Sequence, residues 1–175
     1  LKVSWKVVPA ATSYQIYRST AKDGDYQNIK TINSVGTSSW TDGSVKTGKT
    51  YYYKIKTVVK TQNGEQTSGF SNVKSAKAVP AKTTLKAKAS DAKNVKLTWS
   101  KVKGASGYEI YRSNSKDGKC SKVKTISKGS TTSYKNGKLK KSTTYYYKIR
   151  AYRKVNGKKV YGSYSSVVSV KTKAK

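Results

Sequence analysis

The feature that most constrains this chain is that it is written twice. Displacing the sequence by 94 residues lays Trp5 on Trp99 and SYQIYRS (residues 13–19) on GYEIYRS (residues 107–113). The same displacement matches Lys22-Asp23-Gly24 with Lys116-Asp117-Gly118, the Lys-Thr-Ile at Lys30 with that at Lys124, and Tyr51 with Tyr145. The match slips by one residue where Asn63-Gly64 meets Asn156-Gly157 and is restored where Phe70 meets Tyr164, which reads as an insertion at a loop tip. A period of about ninety residues is too long for a solenoid repeat and suits tandem domains. The expected division is a first domain over 1–79, a linker over 80–84 stiffened by Pro80, and a second domain over 85–175.

Within each copy, short alternating segments are separated by turn residues, the pattern of a sandwich. In the second copy strands are expected at 85–89, 94–99, 108–113, 122–127, 131–134, 144–154 and 161–172. Turn chemistry falls between them, at Lys103-Gly-Ala-Ser-Gly, Ser115-Lys-Asp-Gly-Lys, Lys135-Asn-Gly-Lys and Val155-Asn-Gly-Lys-Lys. No segment has a helical apolar period of useful length. The first copy has no counterpart of 85–89 and opens at its second strand, so a first strand is expected upstream of Leu1 or from a neighbouring chain.

A hydrophobic content of 34% is low for one large core and fits two small β domains with thin interiors. Fifteen tyrosines stand against one phenylalanine, and tyrosine suits strands whose hydroxyls reach water. With 38 Lys+Arg against 7 Asp+Glu, the formal charge is +31, which attracts polyanions. Lysine far outnumbers arginine, the residue suited to bidentate reading of bases and phosphates, and nucleic-acid motifs are absent, so no specific nucleic-acid partner is expected. No run approaches the ~20 apolar residues of a membrane-spanning helix.

Strand parity divides the most conspicuous repeat, Tyr-Tyr-Tyr-Lys-Ile. In the second copy Tyr145, Tyr147, Ile149 and Ala151 share one face, and Tyr146, Lys148, Arg150 and Tyr152 share the other. In the first copy Tyr51, Tyr53 and Ile55 point inward, while Tyr52, Lys54 and Lys56 point outward. A slip of one residue would bury the lysines, so the register is well specified.

The residues LTW (97–99), GYEIYRS (107–113) and LKKSTTYYYKIRA (139–151) resemble the fibronectin type III module. The resemblance implies an all-β fold, two tandem immunoglobulin-like β-sandwiches of fibronectin type III type. It also implies that Trp5 and Trp99 fill the cores, and that Tyr51 and Tyr145 form tyrosine corners whose hydroxyls bond back to nearby backbone. Leu139 and Tyr145 have the corner spacing of six, as do Val45 and Tyr51, although Thr47 and Lys141 replace the usual proline. The lysine-rich wording is similar to modules of secreted or wall-attached Gram-positive bacterial proteins. That likeness implies an extracellular location and other domains on a larger polypeptide.

Catalytic chemistry finds no support. Histidine is absent, which removes Ser-His-Asp, Cys-His and His-based metal arrangements. Cys120 aligns with Tyr26 and reads as a partly buried strand residue. The acids Asp23, Asp25, Asp42, Glu65, Asp91, Glu109 and Asp117 are scattered, mostly in turns, rather than paired across a cleft. No enzyme activity, cofactor or metal is expected. The candidate contact surface is the outward face: Tyr111, Tyr146, Lys148, Arg150 and Tyr152 in the second copy, and Tyr17, Tyr52, Lys54 and Lys56 in the first. Aromatics between cations can stack sugars while lysines hold anionic groups. The plainer reading of that face, and the preferred one, is cross-strand Tyr–Lys packing on a solvated sheet. The leading expectation is a non-enzymatic spacer or accessory module whose basic faces contact anionic cell-wall polymer or glycan. The alternatives are an adhesin or carbohydrate-binding module, and a structural subunit of a surface polymer.

Overall fold

Side chains that alternate between apolar and polar can bury one face only if the backbone is extended, and the chain resolves accordingly into strands. The computed structural model describes residues 1–175 and contains fifteen strands and no helix. Contacts divide it into two units, Leu1–Ala78 and Val79–Lys175.

In the first unit β1 (Lys2–Ser4) pairs with β4 (Ser39–Thr41). Opposite them lies a sheet of order β3 (Gln27–Ile32), β2 (Ser13–Ser19), β5 (Thr50–Thr61) and β6 (Gly64–Thr67), with β7 (Lys74–Lys77) also on β5. In the second unit β12 (Ser133–Asn136), β9 (Val95–Trp99) and β8 (Leu85–Ala89) form one sheet. The other has the order β11 (Ser121–Ile126), β10 (Gly107–Ser113), β13 (Thr144–Val155) and β14 (Lys158–Tyr161), with β15 (Val168–Lys171) on β13. All pairings are antiparallel. The core of the second unit joins Val95, Leu97 and Trp99 from one sheet to Tyr108, Ile110, Tyr147 and Ile149 from the other, which makes it a sandwich. Ile16, Tyr51 and Tyr53 play these parts in the first, with Val3 and Trp5 packed against them.

The five strands β2, β3, β5, β6 and β7 recur 94 residues later as β10, β11, β13, β14 and β15, with both ends matched. Even the irregularity in β2 between Ile16 and Tyr17 returns in β10 between Ile110 and Tyr111. The expected insertion near 63–64 is therefore absent. Both hairpins have two-residue loops, Thr61 facing Gly64 and Val155 facing Lys158. Only the Asn-Gly pair moves. Asn156 (φ 48°) and Gly157 (φ 75°) form the second loop, the signature of a type I′ turn, whereas Gly64 (φ 112°) already belongs to β6.

The single strand expected over 161–172 is two. Between β14 and β15 the Gly162 and Ser165 amides still donate to the Ala151 and Ile149 carbonyls, and the Ser165 hydroxyl accepts the Ile149 N–H in place of a ladder bond. A serine side chain here substitutes for the neighbouring backbone and ends the regular strand. Cys120 is half-buried and free, and lies just before β11 rather than within it. Residues 80–84 pack on the second unit: the Thr83 hydroxyl donates to the Ser100 carbonyl at 2.6 Å, and the Pro80 carbonyl crosses Gly162, where a Cβ would collide with it.

The tyrosines divide by strand parity. Tyr51 and Tyr53 are each 6% exposed, and Tyr145 and Tyr147 are 4% and 0% exposed. The Tyr51 hydroxyl accepts the Lys46 N–H and the Tyr145 hydroxyl accepts the Lys140 N–H, both at 2.9 Å. Each bond ties the strand to the turn entering it. Leu139 is buried beside Tyr145, and Trp99 lies 5.4 Å from the Tyr108 ring as Trp5 lies 5.3 Å from Tyr14.

Candidate functional site

The outward face of the larger sheet collects the candidate contact residues in each unit, but it does so on different terms. In the second unit β10 places Glu109 opposite Arg150 of β13, so a carboxylate sits in the middle of a sheet face. Its side chain is 1% exposed, a position that a charge tolerates only when fully paired. One oxygen accepts Tyr111 Oη at 2.8 Å and Arg150 Nη2 at 2.9 Å. The other accepts Lys159 Nζ at 3.0 Å and Tyr161 Oη at 3.1 Å, with Lys122 Nζ at 3.6 Å. Burial pushes the Glu109 carboxyl upward. The bonds from Arg150, Tyr111, Lys159 and Tyr161 outweigh it and hold the group at about 2.

The aromatic rings close over this network. The Arg150 guanidinium lies 3.7 Å from the centre of the Tyr161 ring and 4.9 Å from that of Tyr164, while Lys148 stands 4.5 Å from the Tyr164 ring. Tyr111 and Tyr164 meet edge to face at 5.2 Å. Arg150 is thus held within the unit by Glu109, Tyr111 and the overlying rings, although its Nε is buried without a hydrogen-bond partner, and Tyr111 has given its hydroxyl to Glu109. Tyr152 is not available to a ligand at all, being 1% exposed. It faces Gly107, where a Cβ would meet its hydroxyl at 2.6 Å, so the missing side chain lets the ring lie flat on the sheet and donate to the Ile126 carbonyl. Strand parity places Tyr152 outward, but the glycine opposite it and the cover of Tyr161 and Lys159 bury the ring. Tyr146 and Lys148 are half-buried and remain at the surface.

In the first unit Gln15 takes the place of Glu109 and faces Lys56. Gln15 accepts the Tyr17 hydroxyl at 2.9 Å. Lys54 stands 4.1 Å from the Tyr26 ring centre and 3.8 Å from that of Phe70, and Lys56 stands 4.3 Å from Phe70. These lysines hold aromatic partners, and the ion pairs of this unit lie elsewhere, at Arg18–Asp42 and Lys60–Glu65. Tyr17, Tyr52, Lys54 and Lys56 are half-buried on one continuous face, with Phe70 44% exposed beside them.

The first unit's buried carboxylate is Asp42, 1% exposed, at the end of β4. It accepts Arg18 Nη1 at 2.7 Å, Tyr53 Oη at 2.8 Å and the Ser44 N–H at 2.9 Å. Burial raises its carboxyl, and the bonds from Ser44, Arg18 and Tyr53 bring it down to about 2. At the matched place in the second unit Asn136 accepts Tyr147 Oη at 2.8 Å and Arg112 Nη1 at 3.2 Å. Neither Glu109 nor Asp42 stands out in the sequence, where both count among scattered acids. For Glu109 the available signal is cross-strand, a lone acid inside a strand and opposite an arginine once the register is known, whereas Asp42 follows β4 and meets Arg18 from the other sheet.

The sheet order, three strands facing four with a fifth edge segment, gives the second unit an immunoglobulin-like β-sandwich fold of fibronectin type III type, and the first unit repeats it without a strand at the β8 position. No family model matches the chain. A stretch of 56 residues, 32% of this chain, is 43% identical to part of an amylopullulanase of Thermoanaerobacter thermohydrosulfuricus and spans 4% of that protein. Among solved structures, the chicken CNTN1 FN1-FN3 domains align with 99% of this chain over 62% of theirs, at a TM-score of 0.48 and 19% identity. The FN3tt structure aligns with 56% of this chain over 99% of its own, at a TM-score of 0.45 and 21% identity.

Proposed function

We propose that the chain is a non-enzymatic extracellular accessory or spacer module of a larger bacterial surface or secreted protein, and that its first unit lies against anionic wall polymer or glycan. The observation that carries this reading is the uncompensated Lys54/Lys56 face of the first unit, set in a chain of formal charge +31. A cation resting on an aromatic ring keeps its charge for an anion approaching from solvent. Around Glu109 the second unit's face is tied into one network, which suits a module that holds shape rather than performs chemistry. The short match within a much longer amylopullulanase supports a place among other domains.

A second reading, a carbohydrate-binding or adhesive module, is favoured by the half-buried Tyr52 and the exposed Phe70 on the same face as these lysines, since surface rings stack on sugars. Arrays of teichoic acid, anionic glycans and neutral glycans, probed at ~150 mM salt where loose surface attraction is screened, separate the two. Anionic wall polymer should bind, and the paired change Lys54→Ala with Lys56→Ala should abolish that binding with the fold intact. Binding to neutral glycan that is lost in Tyr52→Ala would favour the second reading. No saturable signal on any array leaves a pure spacer and removes the contact.

A further inference from the structure

The outward side of the second unit's smaller sheet carries a row of opposed lysines. Lys88 of β8 faces Lys96 of β9, and Lys96 faces Lys135 of β12, so the row crosses all three strands. Each of these lysines is exposed. Neighbouring strands lie about 4.8 Å apart, which sets the spacing of the row. Like charges directly opposite one another destabilise a sheet, and no acid offsets them, since none of these lysines belongs to an ion pair. Asp91, in the turn between β8 and β9, is occupied locally. Its carboxylate accepts the Lys93 N–H and Asn94 Nδ2, each at 2.8 Å, and feels Lys135 only as a more distant charge. The other lysine pair opposed across strands, Lys154 and Lys159, has Glu109 against Lys159. The first unit lacks the row: at the positions of Lys96 and Lys135 it sets Lys2 opposite Thr41.

An open depression of about 290 Å³ lies at the row, lined by Ser90, Lys96, Ser133, Tyr134 and Lys135. The parallel row beside it runs Lys86, Thr98, Ser133, so hydroxyls flank the lysines. We propose that this sheet face binds a linear acidic polysaccharide with one carboxylate per sugar, a polyuronate, laid across the strands along Lys88, Lys96 and Lys135. The uncompensated lysines supply the attraction, and the hydroxyls of Thr98 and Ser133 meet those of the sugar. One sugar residue is about as long as the step between strands, so successive carboxylates meet successive lysines, and the flexible lysine stems take up the remaining mismatch. A glycerol-phosphate polymer sets its charges further apart and carries no ring hydroxyls, so it fits the row less well. Binding relieves a repulsion that the bare sheet carries. The site is on the opposite sheet from Glu109 and on a different unit from Lys54 and Lys56, so it does not depend on the contact proposed for the first unit.

The test is titration of the 175-residue chain with a galacturonic acid hexamer at ~150 mM salt, where loose surface attraction is screened. Calorimetry gives the affinity and amide NMR shifts locate the contact. The expected result is saturable binding, with shifts centred on Lys88, Lys96 and Lys135. The paired change Lys96→Thr with Lys135→Thr, which leaves the first unit's kind of residue in the row, should weaken binding at least about tenfold. It should also lower the slope of log affinity against log salt by about two, one counterion for each lysine, while the rest of the spectrum stays in place. Lys54→Ala with Lys56→Ala should leave hexamer binding unchanged, so the first unit's contact and this one fail separately. No saturable binding, equal binding after the two threonine changes, loss of binding in the Lys54/Lys56 variant, or equally tight binding of a neutral galactose hexamer or a glycerol-phosphate oligomer would each overturn the proposal.

Discussion

The two units use the same pair of polar positions and exchange their contents. The first carries an amide at Gln15 on the sheet face and a carboxylate at Asp42 beside the core. The second carries the carboxylate at Glu109 on the face and the amide at Asn136 beside the core. Where the acid sits decides which cations are consumed. In the first unit Arg18 is held by Asp42, and Lys54 and Lys56 are left with aromatic rings alone. In the second unit Glu109 draws in Arg150, Lys159 and Lys122, and Arg112 is left with a neutral partner at 3.2 Å. One fold thus leaves its face lysines with rings alone in one copy and ties face cations into a carboxylate-centred network in the other, without altering a single strand boundary in β2, β3, β5, β6 or β7.

The comparison breaks most sharply at Glu109. Glu109→Ala should strip the carboxylate from the partly exposed Arg150 and Lys159 and leave Tyr111 and Tyr161 without their acceptor, costing the second unit about 1–3 kcal/mol, with the first unit unchanged. Urea unfolding, followed by NMR signals from each unit, checks this. An equal loss in both units would show that the network is not local. Acid comes next. Glu109 and Asp42 are held at about 2 in the folded chain, against ordinary values of 4.5 and 3.8. The unfolded chain therefore takes up these protons first. The stabilisation is complete above about pH 5, shrinks as pH falls, and is lost once pH passes below the folded values. Because each unit owns one such carboxyl, both should weaken over the same acid range, and Glu109→Gln should remove that dependence from the second unit alone.

The smallest and most pointed change is Gln15→Glu, which writes the second unit's acid into the first. Stability should move by less than about 1 kcal/mol, since the new carboxylate meets Lys56 but lacks counterparts of Tyr161 and Lys159. Binding to anionic polymer should weaken severalfold, read by isothermal titration at fixed salt. Unchanged binding would mean that the face charge is not what the polymer recognises.

Much of this architecture can be read before any coordinates. The alternation in Tyr-Tyr-Tyr-Lys-Ile sorts inward from outward tyrosines because the strand period is two, and Leu85–Ala89 is bounded by turn residues at both ends. The face is less legible. Glu109 finds its partners 2, 41, 50 and 52 residues away, so its role exists only after β10, β13 and β14 are in register. Tyr152 is hidden by what Gly107 lacks, and a missing side chain leaves little trace in an alternation pattern. The displaced Asn-Gly pair misleads in the opposite direction. Matching letters implies an inserted residue, whereas hydrogen-bond pairing shows that the loops are equally long and only the turn geometry has changed.

The unbroken displacement of 94 residues also has a genealogical consequence. Copies that are commensurate strand for strand can recombine at any matched hairpin and still yield a ladder that pairs, because each crossover joins a strand to the partner it already fits. Misaligned exchange between the copies then inserts or deletes whole modules rather than fractions. An array built this way can change its reach in steps of one domain while its folding instructions stay the same.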